Sequence, residues 1–361
     1  MQNELLFPHR LTRRDFLKMS AASAAALAAP SLTRAEDAPP VKFGSGAWTY
    51  TLDPAWGRLP DGMKYGHGCG IAADSKDRIF VTSRSESPCV AVFDPSGKIL
   101  ETWSSDFVEK VGMQQGQVAA TAHCIYISQE GGSEYIYFTE NAAGPKEKQI
   151  GKRVYKTDMT GRILHTIGSV ETEDATHQKF SDWTSPTDVA VAANGDIYTV
   201  DGYGSQKVSR FDKNWKHIKT FGTKGKENDQ FNTCHGVWIN TLKGGEEVYI
   251  ADRESGRVQV YDLELNYQRT VKPDGLRRPC CFYQHAGHLY IPDLGGQVLI
   301  LDKDDRLVAT LGDGKAVPKE KKDASPEFIA PHALTLDSRG NLYVLEWVPY
   351  GRVRKFAHTP A

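Results

Sequence analysis

The fold is decided by a stretch in the second half of the chain, where two apolar strands flank an acidic turn. Val248–Asp262 reads VYIADRESGRVQVYD, and the same pattern returns in Leu289–Asp302 as LYIPDLGGQVLILD. Short runs of β-branched and aromatic residues bounded by Gly and Asp are typical of antiparallel strands. The stretch therefore predicts a strand–turn–strand unit that occurs more than once.

Six copies of this unit can be aligned along the chain. The other four begin at Ile79, Tyr135, Ile197 and Leu342. Self-similarity at a period of about fifty residues indicates a repeat architecture. One small sheet cannot bury both of its faces alone, whereas sheets arranged radially bury their faces against one another. The sequence therefore predicts an all-β fold, a six-bladed β-propeller.

The two ends of the repeat region complement each other. The last copy stops at a third strand, while Val41–Leu52 has alternating aromatic and polar residues and no partner of its own. We expect Val41–Leu52 to close the ring as the outer strand of the last blade. Helix signals are nearly absent in this region because Gly and Pro interrupt the chain about every ten residues, which argues against a doubly wound α/β fold.

An export signal precedes the repeats. Arg13 and Arg14 form a twin-arginine pattern, and the small-residue run Met19–Ala29 that follows is too short to span a bilayer. We expect residues 1–35 to be a cleaved signal and residues 36–361 to be a single propeller domain. The twin-arginine translocase would be a partner during export. The mature protein is expected in the bacterial periplasm or outside the cell, without membrane attachment.

Charge and cysteine content exclude several classes of function. The chain has 44 Lys and Arg against 45 Asp and Glu, a net charge of −1, and a nucleic-acid partner would require a basic face. Six cysteines could form disulfides in an oxidising compartment, although a chain of this size does not need them to fold. No CxxC is present, which excludes a zinc ribbon or a thioredoxin motif.

The alignment also identifies the residue that begins the innermost strand of each blade, where the strands converge on the propeller axis. In order, these residues are Cys69, His123, Thr187, His235, Cys280 and His332. Histidine falls on alternate blades, so three imidazoles would approach one point from directions about 120° apart. Three neutral imidazoles with an open fourth position are typical of catalytic zinc sites. We therefore predict a metal on His123, His235 and His332.

Two other interpretations of this ring stay open. A small or polar residue could simply be tolerated where the strand begins. Cys69 and Cys280 share the same register, so a mixed imidazole and thiolate site for zinc or copper is an alternative to their being small packing residues.

The loops after the second strands should surround the same point, because the second strand runs antiparallel to the first. These loops carry Arg84, Tyr203 and Arg253. A tyrosine can take or relay a proton, and an arginine can hold a carboxylate or a developing oxyanion. Arg253 could equally be a polar turn residue, and Tyr203, which lies between two glycines, could cap its blade.

Ser185–Asp262 resembles the peptidyl-α-hydroxyglycine α-amidating lyases, which belong to the NHL-repeat propellers. The likeness lies in SPTDVAVAANGDIYTVDGYG from Ser185, QFNTCHGVWI from Gln230 and VYIADRESGRVQVYD from Val248, and weaker similarity covers most of the mature chain. It implies zinc on the three histidines, Tyr203 as the base and Arg84 as the group that stabilises charge. It implies cleavage of a peptidyl-α-hydroxyglycine, at the channel mouth, into a peptide amide and glyoxylate.

Three positions depart from that family. Ala333 replaces an aspartate of a structural calcium site, so calcium held by carbonyls such as those of Ile71 and Ile125 would lack a charged partner. Ala330 replaces an active-site methionine, and TSRSES around Arg84 lacks a neighbouring histidine.

These features leave three classes of function to distinguish. The first is a zinc lyase acting on an α-hydroxylated amide, either a small molecule or a peptide. The second is a non-catalytic NHL propeller that binds a peptide, glycan or protein. A lactonase-type six-bladed hydrolase is disfavoured, because such sites gather Glu, Asn and Asp around calcium and none of these stands in the predicted ring.

Overall fold

Six small antiparallel sheets, the blades of a propeller, make up the computed structural model, which describes residues 39–318 and 325–360. The predicted signal, residues 1–35, lies outside the described residues. Val41–Ala361 forms one compact unit. The six-bladed propeller predicted from the repeats is confirmed.

The described chain begins with two short strands, and the first three blades follow. The two short strands are β1 (Lys42–Phe43) and β2 (Tyr50–Asp53), and blade one consists of β3 (Gly68–Ala73), β4 (Ile79–Ser83), β5 (Val90–Phe93) and β6 (Ile99–Trp103). Blade two consists of β7 (Ala122–Glu130), β8 (Ser133–Glu140), β9 (Arg153–Thr157), β10 (Ile163–Gly168) and β11 (His177–Lys179). Blade three consists of β12 (Asp188–Val191), β13 (Ile197–Val200), β14 (Val208–Phe211) and β15 (His217–Phe221).

A two-stranded parallel sheet leads into the last three blades. Its strands are β16 (Thr223–Lys224) and β17 (Gln230–Phe231), and blade four consists of β18 (Cys234–Asn240), β19 (Glu247–Asp252), β20 (Arg257–Tyr261) and β21 (Tyr267–Val271). Blade five consists of β22 (Tyr283–His285), β23 (His288–Asp293), β24 (Gln297–Leu301) and β25 (Leu307–Leu311). Blade six contains β26 (Pro331–Leu336), β27 (Leu342–Glu346) and β28 (Val353–His358).

The ring is closed by the N-terminal strands, as predicted. β2 pairs antiparallel with β28, with Tyr50 opposite His358 and Asp53 opposite Lys355. β1 then adds to the outside of β2. Placing the first and last segments of the chain in one sheet locks the circle of blades without leaving a long exposed edge.

Burial follows the distance of each strand from the axis. The second strands are mostly buried, as in IFVTS of β4 and LYVLE of β27, because neighbouring blades cover both of their faces, and only β8 begins with three residues that are not buried. The outermost strands are largely exposed or half-buried, as in ILETW of β6, where only Trp103 is buried. Apolar residues of adjacent blades pack together between the sheets; one such cluster joins Tyr290 of blade five to Leu334 and Phe356 of blade six.

Blade two differs from the others. Two short helices, α1 (Ser105–Lys110) and α2 (Gln117–Thr121), lie between it and blade one in the chain, and β11 adds parallel to β10 as a fifth strand. Short 3-10 turns occur at Gly46–Trp48, Lys146–Lys148 and Arg253–Ser255. Across the described residues, neither the length nor the apolar character of any helix is sufficient for a membrane span.

Candidate metal centre

The three predicted histidines meet at the centre of the propeller. Each lies at an irregularity in the innermost strand of its blade, where the pairing register shifts between the residues on either side of His123, His235 and His332. A β-bulge of this kind re-aims a side chain that would otherwise follow the pleat. The three side chains are buried, with 1%, 2% and 3% of their surface exposed.

The distances between the imidazoles suit one small cation. The ligand nitrogens all lie within 4.8 Å of one another, and the ring centroids are 4.9, 5.1 and 4.9 Å apart. Nε2 of His235 lies 3.2 Å from Nε2 of His332. Zinc–nitrogen bonds of 2.0–2.1 Å in a tetrahedral site require nitrogens about 3.3 Å apart. The observed separation therefore matches that requirement.

Backbone carbonyl oxygens of the intervening blades lie within hydrogen-bond distance of the Nδ1 atoms of the three rings. Nδ1 of His123 lies 2.6 Å from the carbonyl oxygen of Thr187, Nδ1 of His235 lies 2.8 Å from that of Cys280, and Nδ1 of His332 lies 2.7 Å from that of Cys69. A carbonyl oxygen only accepts, so each Nδ1 carries the hydrogen and each neutral Nε2 carries a lone pair. Such contacts orient imidazoles for metal binding.

Of the three Nε2 atoms, only that of His235 has a hydrogen-bond donor within reach among the described residues, the hydroxyl of Tyr203. Nε2 of His123 is buried without a hydrogen bond, and the Nε2 atoms of His235 and His332 present lone pairs to each other. Burial lowers the pKa of all three imidazoles, that of His332 to about 3, so protonation does not resolve the conflict at neutral pH. A cation would satisfy all three nitrogens, and the donor set therefore fits a divalent metal.

The cysteines of the ring have other contacts. Among the described residues, the group of close metal-binding atoms contains the three histidines and no thiol. Cys69 is buried, and its thiol donates to the carbonyl oxygen of Ala122 at 3.1 Å. Burial raises the pKa of the Cys69 and Cys280 thiols to about 12. The structure thus favours packing roles for both, and all six cysteines of the chain are free thiols.

Tyr203 stands directly beside the histidines, as the loop geometry predicted. Its phenolic oxygen lies 3.1 Å from Nε2 of His235 and accepts a hydrogen bond from Nη1 of Arg253 at 2.8 Å. Burial raises the pKa of this hydroxyl, and the charge of Arg253 acts in the opposite direction. Tyr203 as a whole residue is 38% exposed, so it lies between the buried centre and solvent.

Arg84 lies on the His123 side of the same mouth. Its Nε donates to the carbonyl oxygen of Ala122 at 3.2 Å, and its Nη2 donates to Oδ1 of Asn141 at 3.1 Å. The guanidinium also lies over the ring of Trp347, 5.0 Å from its centroid. These contacts fix the plane of the guanidinium at the mouth.

Trp347 is a site residue that the sequence analysis missed. Its ring centroid lies 5.0 Å from that of His332 and 6.2 Å from that of His123. The signal was available, because Trp347 follows Glu346 at the end of a second strand, as Arg253 follows Asp252 and Arg84 follows Ser83. The aromatic wall of the mouth therefore belongs to the same register as its arginines.

Buried acidic groups at the ends of the second strands hold the mouth loops in place. Oxygens of Asp201 accept backbone N–H groups of Thr184, Ser185 and Ser205. In the other blades, the residue at the equivalent position accepts a backbone N–H group or pairs with an arginine, and in blade one it is a serine. These residues are Ser83, Glu140, Asp252, Asp293 and Glu346. Because Asp201 lies two residues before Tyr203, this anchoring sets the position of the phenol.

Two cavities flank Tyr203 and Trp347 on the mouth side. The smaller, of about 180 Å³, is lined by Arg253, Arg278 and His332 together with Leu294 and Ala330. The larger, of about 430 Å³, is lined by Arg84 and by the polar side chains Asn141, Gln149, Thr184 and Ser185. A ligand at the histidines would therefore have cationic groups on both sides.

A third cavity, of about 70 Å³, lies in the channel on the other side of the histidines. Ile71, Ile125 and Ala333, which were considered for calcium, line it, and Asp188 is its one acidic side chain among the described residues. The carboxylate of Asp188 already accepts the Cys124 thiol at 2.6 Å and the backbone N–H groups of Val189 and Val237. The channel offers no free carboxylate for calcium at this level.

The fold and this centre define a six-bladed propeller with three histidines on its axis. Comparison with known proteins shows which of them the chain resembles. The chain is 24% identical over 219 residues to NHL repeat-containing protein 3 of Homo sapiens, covering 60% of this chain and 57% of that protein. It is 26% identical over 212 residues to a probable peptidyl-alpha-hydroxyglycine alpha-amidating lyase of Caenorhabditis elegans, covering 55% and 56%. The chain thus spans about half the length of the curated relatives it matches.

A solved structure described as streptogramin B lyase has the same fold, with a TM-score of 0.52, 13% identity, and coverage of 87% of this chain and all of that one. Residues 10–30 match the twin-arginine translocation pathway signal sequence. The chain is thus a six-bladed propeller that resembles an NHL repeat-containing protein and the amidating lyases, and its signal directs twin-arginine export to the bacterial periplasm or beyond.

Proposed function

We propose that residues 36–361 form an exported zinc-dependent lyase that cleaves the C–N bond of an N-acyl-α-hydroxyglycine, giving an amide and glyoxylate. One observation carries the proposal. Three unprotonated imidazole nitrogens face one point, and the hydroxyl of Tyr203 lies 3.1 Å from one of them. Resemblance to a probable amidating lyase supports the same reaction.

The histidines would hold the metal through their Nε2 atoms and leave its remaining position open towards the mouth. Zinc, when bound, supplies Lewis acidity that lowers the pKa of a hydroxyl group brought to it. Three neutral imidazoles with an open fourth position are a donor set typical of catalytic zinc. The Nδ1 contacts with the three carbonyl oxygens keep the rings in the tautomer that this requires.

Tyr203 would transfer the proton. Its oxygen lies beside the position where the α-hydroxyl would be held, and Arg253 opposes the rise in its pKa that burial causes. The phenol acts as a relay: its oxygen accepts the α-hydroxyl hydrogen while its own hydrogen passes towards the amide nitrogen, as the carbon–oxygen double bond of glyoxylate forms. The C–N bonding electrons pass to the amide nitrogen, which receives the proton, so no oxidant or reductant is needed.

The arginines would stabilise the two ends of the substrate. The cavity of about 180 Å³ beside His332 contains Arg253 and Arg278, whose guanidiniums are both bonded to Glu254, and it suits a carboxylate. Arg84 borders the larger cavity, where the acyl oxygen gains negative charge as the C–N bond breaks. The two cavities therefore assign an orientation to the substrate.

The test is glyoxylate release from N-benzoyl-α-hydroxyglycine by the mature, zinc-loaded protein. We expect release in equal amount with benzamide, its loss after chelation and its return when zinc is restored. The matched comparison is hippurate, which lacks the hydroxyl and should not react. Absence of glyoxylate from zinc-loaded protein would contradict the lyase proposal and would favour a non-catalytic binding propeller.

A further inference from the structure

The channel cavity, of about 70 Å³, reaches the three histidines from the side opposite the mouth. The same cavity is lined by Ala73, Ile127, Trp238 and Tyr283, which are half-buried at the far end of the innermost strands. A single cavity thus lies between the imidazoles and side chains that reach the opposite face. It holds only a few water molecules, so a hydrated cation inside it must exchange most of its waters for protein ligands.

A second ring of side chains lines this cavity next to the histidines. Its members are Cys124, Asp188 and Cys281, and each directly follows the ring residue of its blade in the sequence. Cys124 and Cys281 are half-buried, whereas Cys69 and Cys280 of the histidine ring are buried. The second ring therefore presents two thiols and a carboxylate to the channel.

The groups of the second ring lie close to one another. The thiol of Cys124 donates to Oδ1 of Asp188 at 2.6 Å. Burial raises the pKa of the Cys281 thiol, and the charge of the nearby Asp188 raises it further. Sulfur and carboxylate ligands both bind zinc. A cation in place of the Cys124 hydrogen would keep the Asp188 carboxylate paired, and the displaced proton would leave to solvent.

The second ring is wider than the histidine ring. Among the described residues, only the three histidines bring three possible metal ligands within 4.8 Å of one another. Zinc held by three ligands at once needs that closeness. The second ring therefore suits a cation that is passing along the channel, and the histidines suit one that stays.

The two sides of the histidines differ in charge. The lining of the two mouth cavities includes Arg84, Arg253 and Arg278 and, among the described residues, no carboxylate. Glu254, outside this lining, offsets one of the three positive charges. The described lining of the channel cavity includes Asp188 and neither lysine nor arginine. Guanidiniums repel a divalent cation and a carboxylate attracts it, so the channel is the favoured approach for a metal.

Aromatic side chains also cover the histidines on the mouth side. The hydroxyl of Tyr203 lies 3.1 Å from Nε2 of His235, and the ring centroid of Trp347 lies 5.0 Å from that of His332. Both aromatic side chains line both mouth cavities. A cation arriving from the mouth would have to break the hydrogen bond of Tyr203 before it reached His235.

The far end of the channel lies close to negative charge. Burial raises the pKa of the Tyr283 hydroxyl, and the carboxylates of Asp77 and Asp337 raise it further. The ring of Tyr283 stands beside that of Trp238, with centroids 5.7 Å apart. Aromatic faces and carboxylates both attract cations.

We propose that Cys124, Asp188 and Cys281 receive the metal from the face opposite the mouth and pass it to the three histidines. The mouth would then admit the anionic substrate and the channel the cation. This proposal rests on the metal centre of the proposed function and is independent of the reaction carried out there.

The test follows the loading of cobalt(II), a spectroscopic substitute for zinc, into the metal-free mature protein. Thiolate ligands give cobalt a charge-transfer band in the near ultraviolet, whereas imidazole and water ligands give only weaker visible bands. We expect the thiolate band to rise first and to decay as the visible bands of the histidine complex appear. The end point should be about one cobalt per chain.

Removing both thiols should slow loading without changing its end point. We expect Cys124→Ser/Cys281→Ser to lose the thiolate band and to load at least about tenfold more slowly, the lower end of what groups that attract an ion contribute. Cys89→Ser, whose thiol bonds the carbonyl oxygen of Trp103 away from the channel, is the matched control and should load like wild type. A wild-type loading rate in the double variant would overturn the proposal.

Blocking each side in turn tests the route itself. Ala73→Trp fills the far end of the channel, and Ala142→Trp fills the larger mouth cavity; both alanines are half-buried. We expect slower loading in Ala73→Trp alone, with the same final cobalt content in both variants. Slow loading in Ala142→Trp with a wild-type rate in Ala73→Trp would place the entry at the mouth and overturn the proposal.

The end point separates this proposal from the proposed function. Wild type that binds no cobalt would contradict the metal centre and the channel route together. A histidine complex that forms at one rate with or without the thiols would support the centre and contradict the route. Thiol-dependent loading of a protein that releases no glyoxylate would support the route and contradict the lyase.

Discussion

The phenolic oxygen of Tyr203 lies 3.1 Å from Nε2 of His235. Because Nδ1 of His235 donates to the carbonyl oxygen of Cys280, this Nε2 carries a lone pair and accepts the tyrosine hydrogen. A cation bound at the same nitrogen would take that lone pair and free the hydroxyl to face a substrate. The pair thus links metal binding to the availability of the proposed proton carrier.

Replacing Tyr203 by phenylalanine should separate chemistry from metal binding. We expect Tyr203→Phe to keep its zinc and to lower kcat by about 10²–10⁴, the usual contribution of a positioned acid or base. Zinc content and glyoxylate release, measured on the same sample, check this. Tyr267→Phe, whose hydroxyl bonds Thr270 on an outer strand, is the control. Unchanged kcat in Tyr203→Phe would remove the tyrosine from the proposed reaction.

Replacing Arg253 should change which end of the substrate is recognised. Wild type is expected to prefer a substrate with a free carboxylate over its carboxamide by about 100-fold in kcat/KM, because a charge-assisted pair contributes about 1.5–3 kcal/mol. Arg253→Ala should lose most of that preference, whereas Arg306→Ala, on an exposed turn, should keep it. An intact preference in Arg253→Ala would place the carboxylate elsewhere.

The buried Asp201 should be needed for both stability and activity. Asp201→Asn leaves backbone donors of Thr184 and Ser185 with a weaker acceptor, and we expect the free energy of unfolding to fall by about 2–4 kcal/mol. Urea unfolding measures this, with the exposed Asp304→Asn as control. Since the same loop carries Tyr203, kcat should fall as well. A stable and fully active variant would be inconsistent with the anchoring described.

Stability should depend on pH through His165. Burial lowers the pKa of this imidazole to about 4 in the folded protein, where it stacks on Trp215 and its Nε2 has no hydrogen bond. The unfolded chain takes up the proton first, so stability is present above about pH 6.5 and is lost as the pH falls towards 4, by about 2 kcal/mol. His165→Phe keeps the stacking and should reduce this loss in urea titrations at pH 7, 5.5 and 4.5. An unchanged pH dependence would show that other groups dominate.

Most of the architecture could be predicted because the repeat carries it. The strand–turn–strand pattern from Ile79 to Leu342 specifies six blades, and the unpaired Val41–Leu52 indicates the closing strand; the structure places Tyr50–Asp53 beside β28. The register of the repeat also brought His123, His235 and His332 to the axis. Local patterns suffice for these features because every blade obeys the same packing rule.

Other parts of the centre depend on contacts that no repeat pattern contains. The carbonyl oxygens of Thr187, Cys280 and Cys69 that hold the imidazoles come from neighbouring blades, and backbone groups leave no trace in side-chain identity. Trp347 shares the register of Arg84 and Arg253, but an aromatic side chain at that position is equally typical of packing between blades, so its contact with His332 was seen only in the structure. The two helices α1 and α2, which precede blade two, also fall outside the repeat period.

The central claim, a metal held by the three histidines, is tested most directly by the metal content of the mature protein purified from its export compartment. The account predicts about one zinc per chain in wild type, none in His235→Ala and an unchanged amount in the exposed-histidine variant His177→Ala. No zinc in wild type, or zinc retained by His235→Ala, would contradict it.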